Sequence, residues 1–166
     1  QTAVQLAPLS RWVVYSSGGK LATGADWDPQ YDNKLVTLGI PAEKILHTDL
    51  SGYLANTNTE ATTFIMEAQK REWKTVCVIS TPFHILRAFA ETVTAAARVY
   101  QMYPSPLKIY SKVGKPLPWT RICLHSQFIQ RERRCDLIAA ELLKCEKYHA
   151  KDVGRMVRLL SGSCIL

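Results

Sequence analysis

No stretch of 18 consecutive apolar residues occurs in the chain, so no segment reads as a membrane-spanning helix. No two cysteines stand at CxxC spacing, and the five present, at 77, 123, 135, 145 and 164, are an odd number. A disulfide framework and a zinc site are both disfavoured, no metal is expected, and an intracellular, reducing compartment fits this usage. Cys77 lies inside an apolar run and reads as a small buried hydrophobe. The opening QTAVQLAPLSRW has neither the basic n-region nor the long apolar core of a secretory signal. The closing SCIL is not a prenylation box, because Cys164 stands third from the end rather than fourth. Internal repeats and low-complexity tracts are lacking as well.

What is present suffices for one ordinary domain. The 166 residues are 47% apolar and 21% charged, the balance of a soluble globular chain with a core. Charge is unevenly placed. Residues 1–97 hold 8 Lys and Arg against 9 Asp and Glu, a net of −1, whereas 98–166 hold 13 against 5, a net of +8. A basic C-terminal third beside a neutral body suits an acidic protein partner, RNA or an anionic membrane surface, and equally a solvated helical face. RNA is the weakest of these partners, since the tail has no nucleic-acid-binding module and little aromatic interleaving.

Short apolar runs alternate with helical patterns, which predicts βαβ units and a mostly parallel sheet. WVVYS (12–16) reads as a strand ending in the turn SGGK. DWDPQYDNKLVTLGIP reads as a loop entering a helix that stops at Gly39, with Pro41 just beyond. KILHT (44–48) is a second strand, and the helix after it is capped by Asn58 or Thr59. TVCVIS (75–80), β-branched and apolar throughout, predicts a strand covered on both faces. A helix is expected from Pro82, a favoured first helical residue, turning into a strand at about 98–103. PSPLKIYSKVGKPLPWT holds four prolines and reads as irregular. A long C-terminal helix is expected at about 125–148, carrying Phe128, Ile129, Leu137, Ile138, Leu142 and Leu143, so that 1–148 form one domain and 149–166 a basic extension.

Ligands of parallel α/β sheets bind beyond the carboxyl ends of the strands, near helix N-termini. Three polar clusters fall at that edge: SSGG (16–19), NTNTE (56–60) and STPFHILR (80–87). Gly18 and Gly19 allow close backbone approach, Thr59 offers a hydroxyl, and the helix expected from Pro82 aims N–H groups at the cleft. His84 and Arg87, three apart, share a helix face and supply a proton-transfer group and a fork for phosphate or carboxylate. Each cluster has a plainer reading too: a Gly-Gly turn, a helix cap, a hydrogen-bonded histidine. Their coincidence at one sheet edge argues for a binding site.

VISTPFHILRA closely resembles the strand–turn–helix motif of the SanA/ElyC/YdcF-like bacterial family, an apolar strand, Thr or Ser, a short spacer, His, two residues and Arg-Ala. VVYSSGG, KLVTLGIPAEKIL and NTNTEA are similar to further elements of that family, in its order, over about residues 12–104. The resemblance implies a Rossmann-like three-layer sandwich, a link to envelope biogenesis and, in one branch, S-adenosylmethionine binding. Carried over, Ser17, Gly18 and Gly19 would line one wall of a pocket, Thr59 and Glu60 a second, and His84 and Arg87 the floor, with Ser80 and Thr81 also expected to bind the ligand. Two departures stand out. NTNTE does not fit the family's Asn-Thr-x-Glu in register. The family's first strand also has no counterpart ahead of Trp12, so it is expected to be missing or supplied elsewhere. The functional expectation is an anionic or nucleotide-like ligand with His84 as the acid or base. The alternative is a non-catalytic accessory subunit of a larger, possibly organellar, assembly.

Overall fold

The apolar, β-branched runs form strands and the amphipathic segments form helices. The computed structural model describes residues 2–17, 31–50, 56–82, 84–102, 105–114, 122–125, 128–133 and 143. In chain order these give α1 (Thr2–Leu6), β1 (Val13–Ser17), α2 (Tyr31–Thr37), β2 (Ile45–Asp49), α3 (Thr57–Lys70), β3 (Thr75–Ser80) and α4 (Ile85–Val99). β4 (Lys108–Val113), β5 (Ile122–His125) and β6 (Phe128–Arg133) follow.

The pairing is parallel where the alternation of strand and helix predicts it. β1 pairs with β2, Val13 opposite Ile45 through Ser17 opposite Asp49, and β3 pairs with β4, Thr75 opposite Lys108 through Ser80 opposite Val113. The fold is thus mixed α/β. Among the described residues, however, these are two separate two-stranded sheets, and β5 and β6 form an antiparallel hairpin.

Helices join the two parallel pairs. α3 packs on β1, on β2 and, most extensively, on α4, which covers β3 and β4. Alanines let the two helices approach closely: Ala61 and Ala68 of α3 and Ala95 and Ala96 of α4 are buried with Ile65, Val76 and Leu107. A second cluster, Ala7, Leu35 and Ile40, packs against Val13 and Ile45 under the other pair.

Helix ends follow local chemistry. The N-cap of α3 is Asn56, not Asn58 or Thr59: its side chain accepts from the N–H groups of Asn58 and Thr59, and the Thr59 hydroxyl accepts from the Asn56 N–H, closing a capping box. α2 ends as expected at Gly39, which holds φ +96° while Gly39 and Ile40 donate to the carbonyls of Val36 and Leu35. α4 begins at Ile85 rather than Pro82, because the Thr81 carbonyl accepts from both His84 and Ile85 and makes 81–84 a turn.

Three further expectations are corrected. Among the described residues of 98–103 no strand forms: α4 runs to Val99 and closes over Gln101, at φ 50°. The strand forms instead in the proline-rich run, as β4, where Gly114 brings its N–H to the Ser80 carbonyl at 2.7 Å; a Cβ there would stand 3.1 Å from that oxygen. The helix expected from 125 gives way to the β5–β6 hairpin up to Arg133, although Leu143 is helical. Nor is β3 covered on both faces: Val76 is buried, but Cys77 is exposed and Ile79 is 37% exposed. Among the described residues no helix is long and apolar enough to cross a membrane.

Candidate functional site

A cavity of about 1000 Å³ is lined by β1 and β3 along their length. Ser10, Arg11, Arg71, Glu72, Lys74 and Thr75 line it where the strands begin, and another polar group gathers where they end: Ser16, Thr48, Thr57, Glu60, Ser80 and His84. The fold itself produces this gathering. β1 and β2 deliver Ser16 and Thr48 from their next-to-last residues and β3 delivers Ser80 from its last, while the capped start of α3 places Thr57 and Glu60 three apart on one face. Ser16 and Thr48 are register partners, and their hydroxyls lie 3.0 Å apart.

Arg87 is 8% exposed and points into the contact between α3 and α4. It donates to the Thr57 hydroxyl at 2.6 Å and to His84 Nδ1 at 3.2 Å. A guanidinium only donates, so Nδ1 is the acceptor, and the ring proton sits on Nε2. One turn along α4, buried Glu91 accepts from the Asn58 side chain at 2.9 Å. Arg87 therefore fixes the imidazole and braces the two helices, and His84 is the member of the pair that lines the cavity.

Burial raises the pKa of Glu60 above the usual carboxylate value, outweighing the opposing pull of His84 and Arg87. A carboxyl held toward its neutral form beside a ring N–H can donate to a ligand oxygen or exchange a proton with it.

Of the residues singled out in the sequence, Glu60, Ser80 and His84 stand on the cavity wall. Arg87 lies behind them, bonded to two of the wall residues. Thr59 directs its hydroxyl into the cap of α3, and Thr81 is exposed and engages its carbonyl in the turn before α4. Ser17 ends β1; Gly18 and Gly19 lie outside the described residues. Ser16 and Thr57 fall within the SSGG and NTNTE clusters read from the sequence, whereas Thr48 was not legible as a site residue, although a hydroxyl near the end of a strand is the signal that would have found it.

A second polar group braces the β1–β2 pair. One oxygen of Asp32, on α2, accepts from Tyr15 Oη and, at 2.9 Å, from His47 Nε2, with the Tyr15 ring against both Tyr31 and His47. Among the described residues no group of three or more His, Cys, Asp or Glu side chains is placed to hold a metal ion. Compared with protein-family models, curated proteins and solved structures, the chain finds no match.

Proposed function

We propose that the chain binds a small anionic or nucleotide-like molecule at the polar end of this cavity, in a Rossmann-like arrangement of the SanA/ElyC/YdcF-like kind. The observation that carries the proposal is the meeting of a carboxyl with raised pKa, Glu60, and an imidazole held by a buried arginine, His84, among four strand-end and helix-start hydroxyls. His84 Nε2 donates to the ligand, Glu60 is the group able to exchange a proton with it, and Arg87 is a positioning residue. Hydroxyls, one carboxyl and one ring N–H suit the ribose and amino-acid ends of S-adenosylmethionine, which makes it the first molecule to titrate, with adenine nucleotides beside it. Calorimetric titration is expected to show saturable binding that His84→Ala weakens by about tenfold, the loss of one hydrogen bond, with an unchanged thermal transition. Equal affinity in wild type and in both His84→Ala and Thr48→Val would remove the proposal.

A second reading, a non-catalytic subunit of a larger assembly, is favoured by the exposure of apolar β3 and by the net +8 of residues 98–166. In that case the same polar cluster serves only to hold α3 and α4 together.

A further inference from the structure

The arginine that the sequence offers as a fork for an acidic group is engaged inside the protein. Arg87 gives one terminal nitrogen to the Thr57 hydroxyl at 2.6 Å and the other to His84 Nδ1 at 3.2 Å. What meets a ligand at the polar end of the cavity is therefore the His84 Nε2–H, the strand-end hydroxyls and the Glu60 carboxyl. Among the described residues none donates a hydrogen bond to that carboxyl, although His84 and Arg87 pull on its charge. The elements packed on α3 add no other charge that faces it. α4 brings Glu91, which accepts from Asn58. β1 and β2 face the site with Ser16 and Thr48; their Tyr15 and His47 are bonded to Asp32 of α2, and Asp49 is exposed at the end of β2.

We infer, on the reading of this cluster as a ligand site, that it binds the acidic group of its ligand together with one proton, which Glu60 holds, so that an acidic ligand is bound more tightly as pH falls. An oxyanion and the Glu60 carboxylate at one cavity end repel each other. Protonated, Glu60 changes from a repelling acceptor to an O–H donor. A ligand oxyanion is then met by donors alone: that O–H, the His84 N–H and the hydroxyls. The proton comes from solvent and returns there when the ligand leaves. It has no place on the imidazole, because Nδ1 accepts from Arg87 and Nε2 already carries a proton. Burial inclines Glu60 toward its neutral form against the pull of His84 and Arg87, and a bound anion pushes it further the same way. Between the pKa of Glu60 in the free protein and its higher value in the complex, the complex holds the extra proton. Across that window affinity falls by up to about tenfold per pH unit as pH rises, and it is level on either side.

The probe is adenosine 5′-sulfate, whose sulfate keeps one charge throughout the range in which carboxyl groups titrate, and the neutral control is adenosine. Calorimetric titration of the full chain over a series of pH values is expected to show affinity for the sulfate ester falling by at least about tenfold through the window, while adenosine keeps one affinity. Titrations within the window, in two buffers of different ionisation heat, should count uptake of up to about one proton per bound ester, a readout that needs no variant. Glu60→Gln is expected to take up none and to hold the wild type's low-pH affinity at every pH. Affinity for the ester that rises with pH would make Glu60 an ionised acceptor for a ligand donor and overturn the inference. So would binding without proton uptake, or uptake that persists in Glu60→Gln. In each of these cases, ester binding that His84→Ala weakens leaves the ligand proposal standing. Failure of the ester to bind where S-adenosylmethionine does would also overturn the inference alone, whereas no binding of any of the three compounds removes both.

Discussion

Glu60 stands where burial of a carboxyl costs the chain some stability. Its carboxyl is more costly to ionise in the folded state than in the unfolded chain, since burial outweighs the attraction of His84 and Arg87. Between the unfolded and the raised folded pKa, the folded state binds more protons, so stability falls as pH rises through that window. The benefit is complete below the unfolded value and lost above the folded one. Glu60→Gln removes the penalty while keeping the shape. Urea midpoints of this variant are expected to exceed wild type at pH 7, with the difference shrinking toward pH 4. A lower midpoint at pH 7 would mean that the ionised carboxylate is held by its basic neighbours. The sequence makes His84 and Glu60 visible as candidates, but it does not show that Arg87 faces the helix contact rather than solvent. That depends on which face of α4 meets α3, a consequence of packing between residues 30 positions apart.

At the scale of elements, local chemistry was legible wherever one signal dominated. The run 75–80 becomes β3 residue for residue, and Gly39 ends α2 with the left-handed conformation that a side chain resists. The misreadings lie where two signals compete. NTNT offers two overlapping Asn-Thr pairs, and the first supplies the cap. Four prolines concealed β4, although KIYSKV between them holds the β-formers Ile109, Tyr110 and Val113. The spacing of Phe128 and Ile129 suits a helix or a hairpin, and a short apolar pair cannot decide between them. Two helix ends provide a paired prediction. Glu72 occupies after α3 the place that Gly39 holds after α2, at φ 53°, with Trp73 donating to the Ala68 carbonyl as Ile40 does to Leu35. Gly39→Ala meets no atom within 4 Å, so its cost is the backbone conformation alone, about 1 kcal/mol. Glu72→Gly relieves the same strain and is expected to stabilise by about 0.5–1 kcal/mol, read from chemical denaturation. Opposite signs at the two positions are the outcome to check; equal signs would mean that packing at the helix ends outweighs φ.

For the whole molecule, the alternation of strands and helices predicted an α/β fold with mostly parallel pairing; β1–β2 and β3–β4 pair in parallel, and β5–β6 does not. Periodicity cannot say which strands are neighbours, so the division into two pairs became visible only in three dimensions. That division has a physical cost. β3 is apolar from Val76 to Ile79, yet Cys77 and Ile79 are exposed, which makes it an open template for another strand. The net charge of +7 opposes association in general, but the edge of β3 opposite β4 has no strand partner among the described residues. The isolated chain is therefore expected to self-associate as its concentration rises. Ile79→Lys places a charge on this strand at a position that is already 37% exposed, where it costs little stability and discourages pairing. Sedimentation velocity should show wild type shifting to larger species while Ile79→Lys stays monomeric, with thermal transitions within a few degrees of each other. Self-association unchanged by the lysine would place the sticky surface elsewhere. A wild-type chain that stays monomeric throughout would mean that β3 is guarded within the chain.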